Sequence, residues 1–359
     1  MNKIIQKHLD ESKKSDTLYK KENELLEDRI NTDYENLQRR KEELAKAESI
    51  DLSRRDGEYV EKLRKENKDY LTRAKKSGIF LVKDFKGKVP YFAKNIILAA
   101  GLSGDGKSTT CANIAYRDIL QNKKVLVITN EEIASDVYNR VTSLIKGWAY
   151  REHENFTEQQ HAIFDDYIDK LSHRLTVIDD SYNDSVGQTS TIEGMEAMLE
   201  SLLKSDEKFD VIIIDYYQNI DRSTKNPGLS PWQVQEQFAK RLDKFKNVYE
   251  APIVVLAQLT DVGAENKPFK DRIEGRKIIY NVCTCALEVM AERENLRTAW
   301  KVRKSRWSEA VGQTIMTGFN KGLYVDYTPE FQASALALKE SKERQKMLKL
   351  NEIEVEGGA

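Results

Sequence analysis

Six short apolar runs recur along this chain. They are rich in β-branched residues and hardly alternate between apolar and polar positions: NIILAA (95–100), KVLVIT (124–129), RLTVID (174–179), DVIIID (210–215), APIVVLAQ (251–258) and CALEVM (285–290). Runs of this kind are typical of strands buried on both faces of a parallel sheet. Helix-like stretches lie between several of them, including STTCANIAYRDIL, TIEGMEAMLESLLK and PWQVQEQFAKRLDKFKNVY. The alternation predicts an open α/β domain with a mostly parallel central sheet, whose ligands bind at the carboxyl ends of its strands.

The beginning of the chain has a different pattern. Residues 1–76 contain no proline and a single glycine, and charged residues dominate them, a composition that favours helices. A thin apolar seam recurs every seven residues, at Ile30, Leu37 and Leu44 and again at Leu63 and Tyr70. Two interpretations of this segment stay open: solvated and partly disordered helices, or a docking element for another subunit.

These patterns predict three parts of the chain. We expect a charged helical segment at 1–77, an α/β domain at 78–328 and a helical, polar tail at 329–359.

Composition narrows the classes of function. The formal net charge of −1 supplies no global field for nucleic acid, so any such attraction must come from local patches. Three cysteines and four histidines offer neither a disulfide framework nor a zinc-binding spacing. No apolar run approaches the roughly 18–20 residues that span a bilayer. The sequence therefore predicts a soluble, cytoplasmic protein without a membrane partner.

A glycine-rich turn follows the first predicted strand. Residues 101–108 read GLSGDGKS and fit the phosphate-loop pattern G-x-x-x-x-G-K-[ST], with a strand before the turn and a helix after it. Glycines let successive backbone N–H groups surround a β-phosphate, while the lysine reaches the β- and γ-phosphates and the serine hydroxyl holds Mg²⁺. We therefore predict that ATP and Mg²⁺ bind here, at Gly101, Ser103, Gly104, Asp105, Gly106, Lys107, Ser108 and Thr109.

Polar residues end three of the other predicted strands. Asp215 ends DVIIID and is predicted to hold the metal together with Ser108, the alternative being an aspartate that caps a turn. Glu131 and Glu132 follow KVLVIT, where the wound sheet is expected to place them adjacent to the phosphate loop, and either is a candidate general base. Gln258 ends APIVVLAQ, where its amide either contacts the γ-phosphate or forms a turn.

Together these stretches resemble the RecA-like ATPase core of DnaB-type hexameric replicative helicases over residues 78–327. EQFAKRLDKFKNVYEAPIVVLAQL is similar to the helix and strand that lead to the family's sensor glutamine. DYYQN resembles the family's D-Y-L-Q box, which supports the metal-binding aspartate and implies a role for Gln218. In the family, an arginine follows the catalytic glutamate by nine residues. Glu131 and Arg140 keep that interval, so the resemblance selects Glu131 over Glu132.

The segment WKVRKSRW matches the family's K-x-R element at Lys304 and Arg306. Residues two apart on a strand point to the same side, and the resemblance implies that this pair reaches a neighbouring subunit's γ-phosphate. The alternative is a solvated basic strand. Two departures from the family are visible: we expect only the charged segment 1–77 in place of a globular amino-terminal domain, and EGRKIIYNV replaces a run of acids.

In ring ATPases of this kind, the loops after Asp215 and Gln258 face the central channel. Here these loops read DRSTKNPGLSP and TDVGAENKPFKDRIEGRK. Their cations predict a mostly electrostatic contact with single-stranded DNA, although a solvated loop is the alternative for any one of them. The predicted DNA-binding residues are Arg222, Lys225, Lys267, Lys270 and Arg272.

The resemblance implies an ATP-dependent DNA helicase that encircles one DNA strand as a hexameric ring and unwinds duplex during replication. Single-stranded DNA and further copies of the chain are the expected partners, with primase or a helicase loader as another. Two alternatives stay open: a RecA-type recombinase that forms filaments on single-stranded DNA, and a non-translocating ATPase associated with replication. The pair Lys304 and Arg306 favours the helicase.

Overall fold

A computed structural model of the protein describes residues 57–75, 78–180, 188–215, 217–260, 267–274 and 277–341, together with Gln38 and Lys41. The chain divides into two compact units, Met1–Asp69 and Tyr70–Ala359. The seam positions predicted at Ile30, Leu37 and Leu44 lie outside the described residues. The three-part division of the chain stays a prediction.

One sheet organises the second unit. Its strands within the described residues are β1 (Ile96–Gly101), β2 (Val125–Thr129), β3 (Leu175–Ile178), β4 (Val211–Asp215), β5 (Ile253–Gln258), β6 (Cys285–Glu292), β7 (Arg297–Ser305), β8 (Thr314–Asn320) and β9 (Leu323–Asp326). Their spatial order is β3-β2-β4-β5-β1-β6-β7-β8-β9. The first six strands in this order are parallel, and β7 to β9 continue the sheet as an antiparallel meander.

Helices cover both faces of the parallel strands. Among the described residues of this unit, the α-helices are α2 (Lys107–Leu120), α3 (Ala134–Lys146), α4 (Glu158–Ser172), α5 (Ile192–Lys204), α6 (Pro231–Val248), α7 (Phe269–Arg272) and α8 (Ile278–Val282), and residues 329–341 are also helical. A further helix, α1 (Gly57–Lys75), precedes them and belongs mostly to the first unit. Within the part of the chain that the structure describes, no helix has the length and apolar character to cross a membrane.

The alternation of side chains along β1 explains this layering. Ile97 and Ala99 join a buried cluster with α2 and α3, whereas Ile96, Leu98 and Ala100 join a second cluster with α5, α6 and α8. Every residue of β1, β2 and β4 is buried. Full burial of one such aliphatic side chain stabilises the fold by about 1.5–3 kcal/mol. The structure confirms the predicted α/β core with a mostly parallel sheet.

Local sequence sets where the helices begin and end. At the start of α4, the Thr157 hydroxyl accepts from the Gln160 N–H at 3.3 Å and the Gln160 side chain accepts from the Thr157 N–H at 2.9 Å. This reciprocal cap satisfies donors that a helix start leaves unpaired. Pro231 occupies the first turn of α6, where its missing N–H costs nothing. Gly147 ends α3 with φ of 69°.

The hairpin of β8 and β9 was not predicted, and it packs against α2. Asn113 Nδ2 donates to Gly322 O at 2.7 Å, and Tyr324 N donates to Asn113 Oδ1 at 2.8 Å. The helix at 329–341 follows, with the Phe331 ring lying on Gly318, where a Cβ would come within 2.5 Å of the ring. The hairpin thereby fixes the helix that begins at the phosphate loop.

Candidate functional site

The glycine-rich turn between β1 and α2 is held in place by Asp105. Leu102 N and Ala291 N donate to the two carboxylate oxygens of Asp105, at 2.9 and 3.2 Å. Gly104 and Gly106 have φ of +86° and +87°, a conformation that side chains other than glycine rarely adopt. The turn is therefore preformed, with its backbone in the shape that a phosphate loop requires.

Lys107 places its amine inside this turn. The residue is only 6% exposed, and its Nζ donates to Leu102 O at 3.2 Å. Burial lowers the pKa of the Lys107 amine, although the negative charges of Glu131 and, to a smaller extent, Asp215 raise it. The amine consequently lies within electrostatic reach of the carboxylates that end β2 and β4.

Asp215 lies at the carboxyl end of β4 and is 2% exposed. Its Oδ1 is buried without a hydrogen-bond partner among the described residues. Burial, followed by repulsion from Glu132 and Glu131, raises the pKa of Asp215 to about 7 although Lys107 opposes the shift. A buried carboxylate oxygen without a donor fits a divalent cation, and Ser108 and Asp215 are the residues that would hold Mg²⁺.

Replacing Asp215 by asparagine is expected to remove the decrease in stability that the wild-type protein shows between about pH 4 and pH 7. In Mg²⁺-free buffer the folded protein keeps the Asp215 proton up to about pH 7, whereas the unfolded chain releases it near 3.8. The folded state therefore binds more protons in this window, and its unfolding free energy falls by up to about 1.4 kcal/mol per pH unit as the pH rises. The Asp215→Asn variant lacks this slope. Denaturant unfolding of both proteins across the window measures it, and parallel pH curves would contradict the raised pKa.

The two glutamates after β2 have different environments. β2, which they follow, is separated from β1 in the sheet by β4 and β5. Glu132 is bound by Arg140, whose Nη2 and Nε donate to its oxygens at 2.6 and 3.3 Å. Glu131 is exposed, and its charge acts on Lys107. The nine-residue interval thus does not pair Arg140 with Glu131, and Glu131 is the glutamate whose charge acts on Lys107.

Gln218 connects the ends of β4 and β5. Its Nε2 donates to Gln258 O at 3.0 Å and to Glu274 O at 3.1 Å, while Gln258 N donates to its Oε1 at 3.2 Å. Gln258 pairs with Gly101 across the sheet, so it ends beside the phosphate loop. A change at either strand end would therefore reach Glu274, which lies within the second predicted DNA loop.

Lys304 and Arg306 lie at the opposite edge of the sheet from the phosphate loop. Arg306 N donates to Thr284 O and Thr284 N donates to Ile96 O, both at 2.8 Å, so Arg306 sits near the first residue of β1. The phosphate loop begins at the far end of that strand, about 17 Å away at ~3.3 Å per residue. Arg306 Nη2 and Lys304 Nζ both donate to Asn281 O, at 2.8 and 3.0 Å. The pair shares one side, as predicted, and cannot reach the phosphate loop of its own chain.

The first predicted DNA loop is organised by Glu193 at the start of α5. The Ser223 hydroxyl, Thr224 N and Lys225 N donate to its carboxylate at 2.5, 2.9 and 3.1 Å. Although burial would raise it, these hydrogen bonds lower the pKa of Glu193 to about 2. Arg222 and Lys225 are exposed at this loop. Their charges are thereby presented on an ordered backbone.

The cations of the second predicted DNA loop differ in their exposure. Lys267 and Lys270 are exposed, while Arg276 lies outside the described residues. Arg272 is half-buried and donates to Glu288 Oε1 at 2.7 Å. This corrects the prediction that Arg272 contacts DNA, because a carboxylate from β6 holds its guanidinium inside the protein.

A pocket beside the phosphate loop was missed by sequence reasoning. Arg293 Nη2 donates to Gly104 O at 2.5 Å, which places a second cation against the turn. The turn, α2, the segment Tyr150–Asn155, the connection between β6 and β7, and the antiparallel strands all contribute to it, among them Gly104, Thr109, Arg151, Arg293, Phe319 and Tyr324. No local motif marks these side chains, since they come from segments that are far apart in the sequence and meet only in the folded protein.

Comparison with known proteins fits this geometry. The protein-family model that describes the DnaB-like helicase C-terminal domain matches residues 89–271, just over half of the 359-residue chain. The chain belongs to the DnaB-like helicase C-terminal domain family. The matched range contains the phosphate loop, Glu131, Asp215 and Gln258, but not Lys304 or Arg306. Membership of this family implies a helicase that hydrolyses nucleoside triphosphate.

Two solved structures are similar to this helicase domain in fold. The first, described as an ATPase domain, is 13% identical with a TM-score of 0.59, and the alignment covers 76% of this chain and 100% of that one. The second, "The Structure Of A DnaB-Like Replicative Helicase And Its Interactions With Primase", is 13% identical with a TM-score of 0.54, covering 66% of this chain and 58% of that one. At this identity the similarity shows the fold. Comparison with curated proteins gives no match.

Proposed function

We propose that this chain is an ATP-dependent DNA helicase that translocates on single-stranded DNA as a hexameric ring and unwinds duplex during replication. One observation supports the ring above all: Arg306 lies beside the amino end of β1, whereas Lys107 follows its carboxyl end. A site that needs both residues requires two copies of the chain. A head-to-tail arrangement of copies supplies one such site at each boundary, and the proposal is that this arrangement closes into a ring and does not continue as a filament.

Hydrolysis at this boundary divides into separate tasks. The backbone N–H groups of the turn and Lys107 would bind the phosphates, and Ser108 and Asp215 would hold Mg²⁺, whose charge would offset that of the transferred phosphoryl group. Glu131 orients the attacking water and accepts its proton. Arg306, with Lys304, approaches from the next subunit and stabilises the charge that develops on the γ-phosphate.

The nucleoside would extend into the pocket next to the turn. Phe319 supplies aromatic surface there, and Arg151 and Arg293 supply planar cations. Such groups bind a base by stacking without selecting strongly among bases. We therefore assign the pocket to the base and ribose of the bound nucleotide.

Movement of DNA is assigned to the two loops beyond β4 and β5. Gln258 would register the loss of the γ-phosphate, and Gln218 would pass the change to the loop ends through their shared hydrogen bonds. Arg222, Lys225, Lys267 and Lys270 would contact the phosphates of one strand. That primase or a helicase loader is a further partner stays a prediction.

The direct test is strand separation on a forked duplex with Mg²⁺ and ATP. Wild-type protein is expected to release the labelled strand, because each hydrolysis step shifts the DNA loops relative to the single strand in the channel. The Lys107→Ala variant is the matched control, since it keeps the fold but lacks the amine that binds the phosphates.

Two outcomes distinguish the alternatives. Hydrolysis that single-stranded DNA stimulates but that never separates strands would contradict a helicase and favour a non-translocating ATPase. Electron micrographs of the protein with ATP and single-stranded DNA are expected to show closed rings, and extended filaments would instead favour a recombinase.

A further inference from the structure

Glu288 is a charged residue in the middle of a buried strand. It lies on β6 between Leu287 and Val289, pairs with Ala100 of β1 and is 3% exposed. Burial of a carboxylate is costly unless other groups pair with it and donate hydrogen bonds to it. None of the roles in the proposed function uses this residue, so its partners show what it does.

Two arginines from different elements bind this carboxylate. Arg272 Nη1 donates to Glu288 Oε1 at 2.7 Å, and Arg303 Nε donates to Glu288 Oε2 at 2.6 Å. Arg272 ends α7 and Arg303 belongs to β7. Each oxygen is thus occupied by a separate guanidinium, and the carboxylate joins two segments that are otherwise distant along the chain.

Arg272 forms the base of the second DNA loop. Its carbonyl accepts from Thr260 N at 2.7 Å and from the Thr260 hydroxyl at 3.1 Å. Thr260 follows Gln258 by two residues, and Glu274 N donates to Gln258 O at 3.0 Å. The arginine is therefore attached by its backbone to the strand end that lies beside the phosphate loop, and by its side chain to Glu288.

Arg303 immediately precedes the basic pair. The pairing of β6 with β7 shifts register between Ala286 and Leu287, so that Arg303 bulges out of the ladder next to Lys304. Tyr280 Oη donates to Arg303 O at 3.1 Å. The guanidinium of Arg303 also lies 5.9 Å from the ring centre of Phe269, the neighbour of Lys270. Bulges redirect the side chains around them, here those that reach the subunit boundary.

We infer that Glu288 is a positioning residue that couples the second DNA loop to Lys304 and Arg306. When DNA moves the loop base, Arg272 moves with it, and the shared carboxylate transmits the displacement to Arg303 and the adjoining pair. DNA bound to one subunit would thus control the position of the Lys304 and Arg306 side chains at the neighbouring subunit's nucleotide. This coupling rests on the proposed function, since it requires DNA at the loop and nucleotide at the boundary.

The test compares hydrolysis with and without single-stranded DNA in the full-length assembly. The Glu288→Gln variant keeps the side chain's shape but loses the charge that holds both arginines. We expect the ratio of stimulated to unstimulated ATPase rate to fall by at least about tenfold. The affinity for a labelled oligothymidine in the presence of a non-hydrolysable ATP analogue should stay within about twofold of wild type, as should the unstimulated rate. A variant that was merely destabilised would lose all three together.

A second variant keeps the inference falsifiable if Glu288→Gln fails to fold. Arg303→Met leaves the buried pair of Arg272 and Glu288 intact and is expected to lower the stimulation ratio equally. Glu207→Gln, which breaks the exposed ion pair with Lys124, is the matched control and should leave the ratio unchanged.

The possible outcomes distinguish a failure of the proposed helicase function from a failure of the coupling through Glu288. A wild-type protein whose hydrolysis does not respond to single-stranded DNA would contradict the proposed function itself. A responsive wild type with an unchanged ratio in folded Glu288→Gln, or in Arg303→Met, would overturn the coupling and leave the helicase intact.

Discussion

Replacing Arg306 by alanine is expected to lower the DNA-stimulated ATPase rate by about 10³-fold or more, the range seen for arginines supplied between subunits. The Arg306 guanidinium donates to Asn281 O at 2.8 Å, at the opposite edge of the sheet from the phosphate loop of its own chain. Its contribution to hydrolysis must therefore come through a neighbouring subunit. Steady-state phosphate release with saturating single-stranded DNA measures the loss.

Nucleotide binding separates this effect from damage to the fold. Because the turn and Lys107 are unchanged, Arg306→Ala should bind a fluorescent ATP analogue nearly as well as wild type. The matched control is Arg241→Ala, which removes an exposed arginine of α6 that pairs with Glu196 and should change the rate by no more than about twofold. Wild-type turnover by Arg306→Ala would exclude the proposed role of Arg306.

Replacing Glu131 by glutamine is expected to slow ATP hydrolysis by about 10²- to 10⁴-fold while ATP binding is retained. The glutamine keeps the size of the side chain but cannot accept the proton of the attacking water. Glu131 is assigned this task because it is exposed at the carboxyl edge and its charge acts on Lys107. Single-turnover hydrolysis with Mg²⁺ and ATP measures the chemical step without product release.

Glu132→Gln is the control that the chain itself offers. The Glu132 carboxylate already accepts from Arg140 Nη2 at 2.6 Å, and a glutamine there can still accept this hydrogen bond. We expect this variant to lose far less activity than Glu131→Gln. The reverse order, with Glu132→Gln inactive and Glu131→Gln active, would transfer the role of general base to Glu132.

The parts of the fold that were predictable are those in which short-range sequence determines structure. The runs that became β1 to β6 are mostly apolar because both faces of a parallel sheet are covered, and this leaves a direct signature in the sequence. The phosphate loop was equally visible, since Gly104 and Gly106 occupy left-handed conformations that restrict the residue type. Strand order leaves no such signature, so the sequence does not show that β4 and β5 separate β2 from β1.

Two side-chain partners at the site could not be read from the sequence. The interval that selected Glu131 does not correspond to a contact, since Arg140 binds Glu132, and side-chain direction rather than spacing decides which carboxylate it meets. Arg272 was assigned to a loop surface, yet it is held by Glu288, a residue that follows it by 16 positions on another element. The packing of one element against another decides such partners, and a linear pattern does not contain it.

The central claim is that each nucleotide site is shared between two subunits, and mixed assemblies test it most directly. Lys107→Ala and Arg306→Ala should each be inactive alone, whereas assemblies that contain both should regain activity at the boundaries where an intact phosphate loop meets an intact arginine. With random mixing in equal amounts, about a quarter of the boundaries are of this kind in a head-to-tail ring. Co-expression with two affinity tags and successive purification isolates such assemblies for the ATPase measurement. Recovery towards a quarter of the wild-type rate is the predicted result, and mixed assemblies no more active than the separate variants would contradict a shared site.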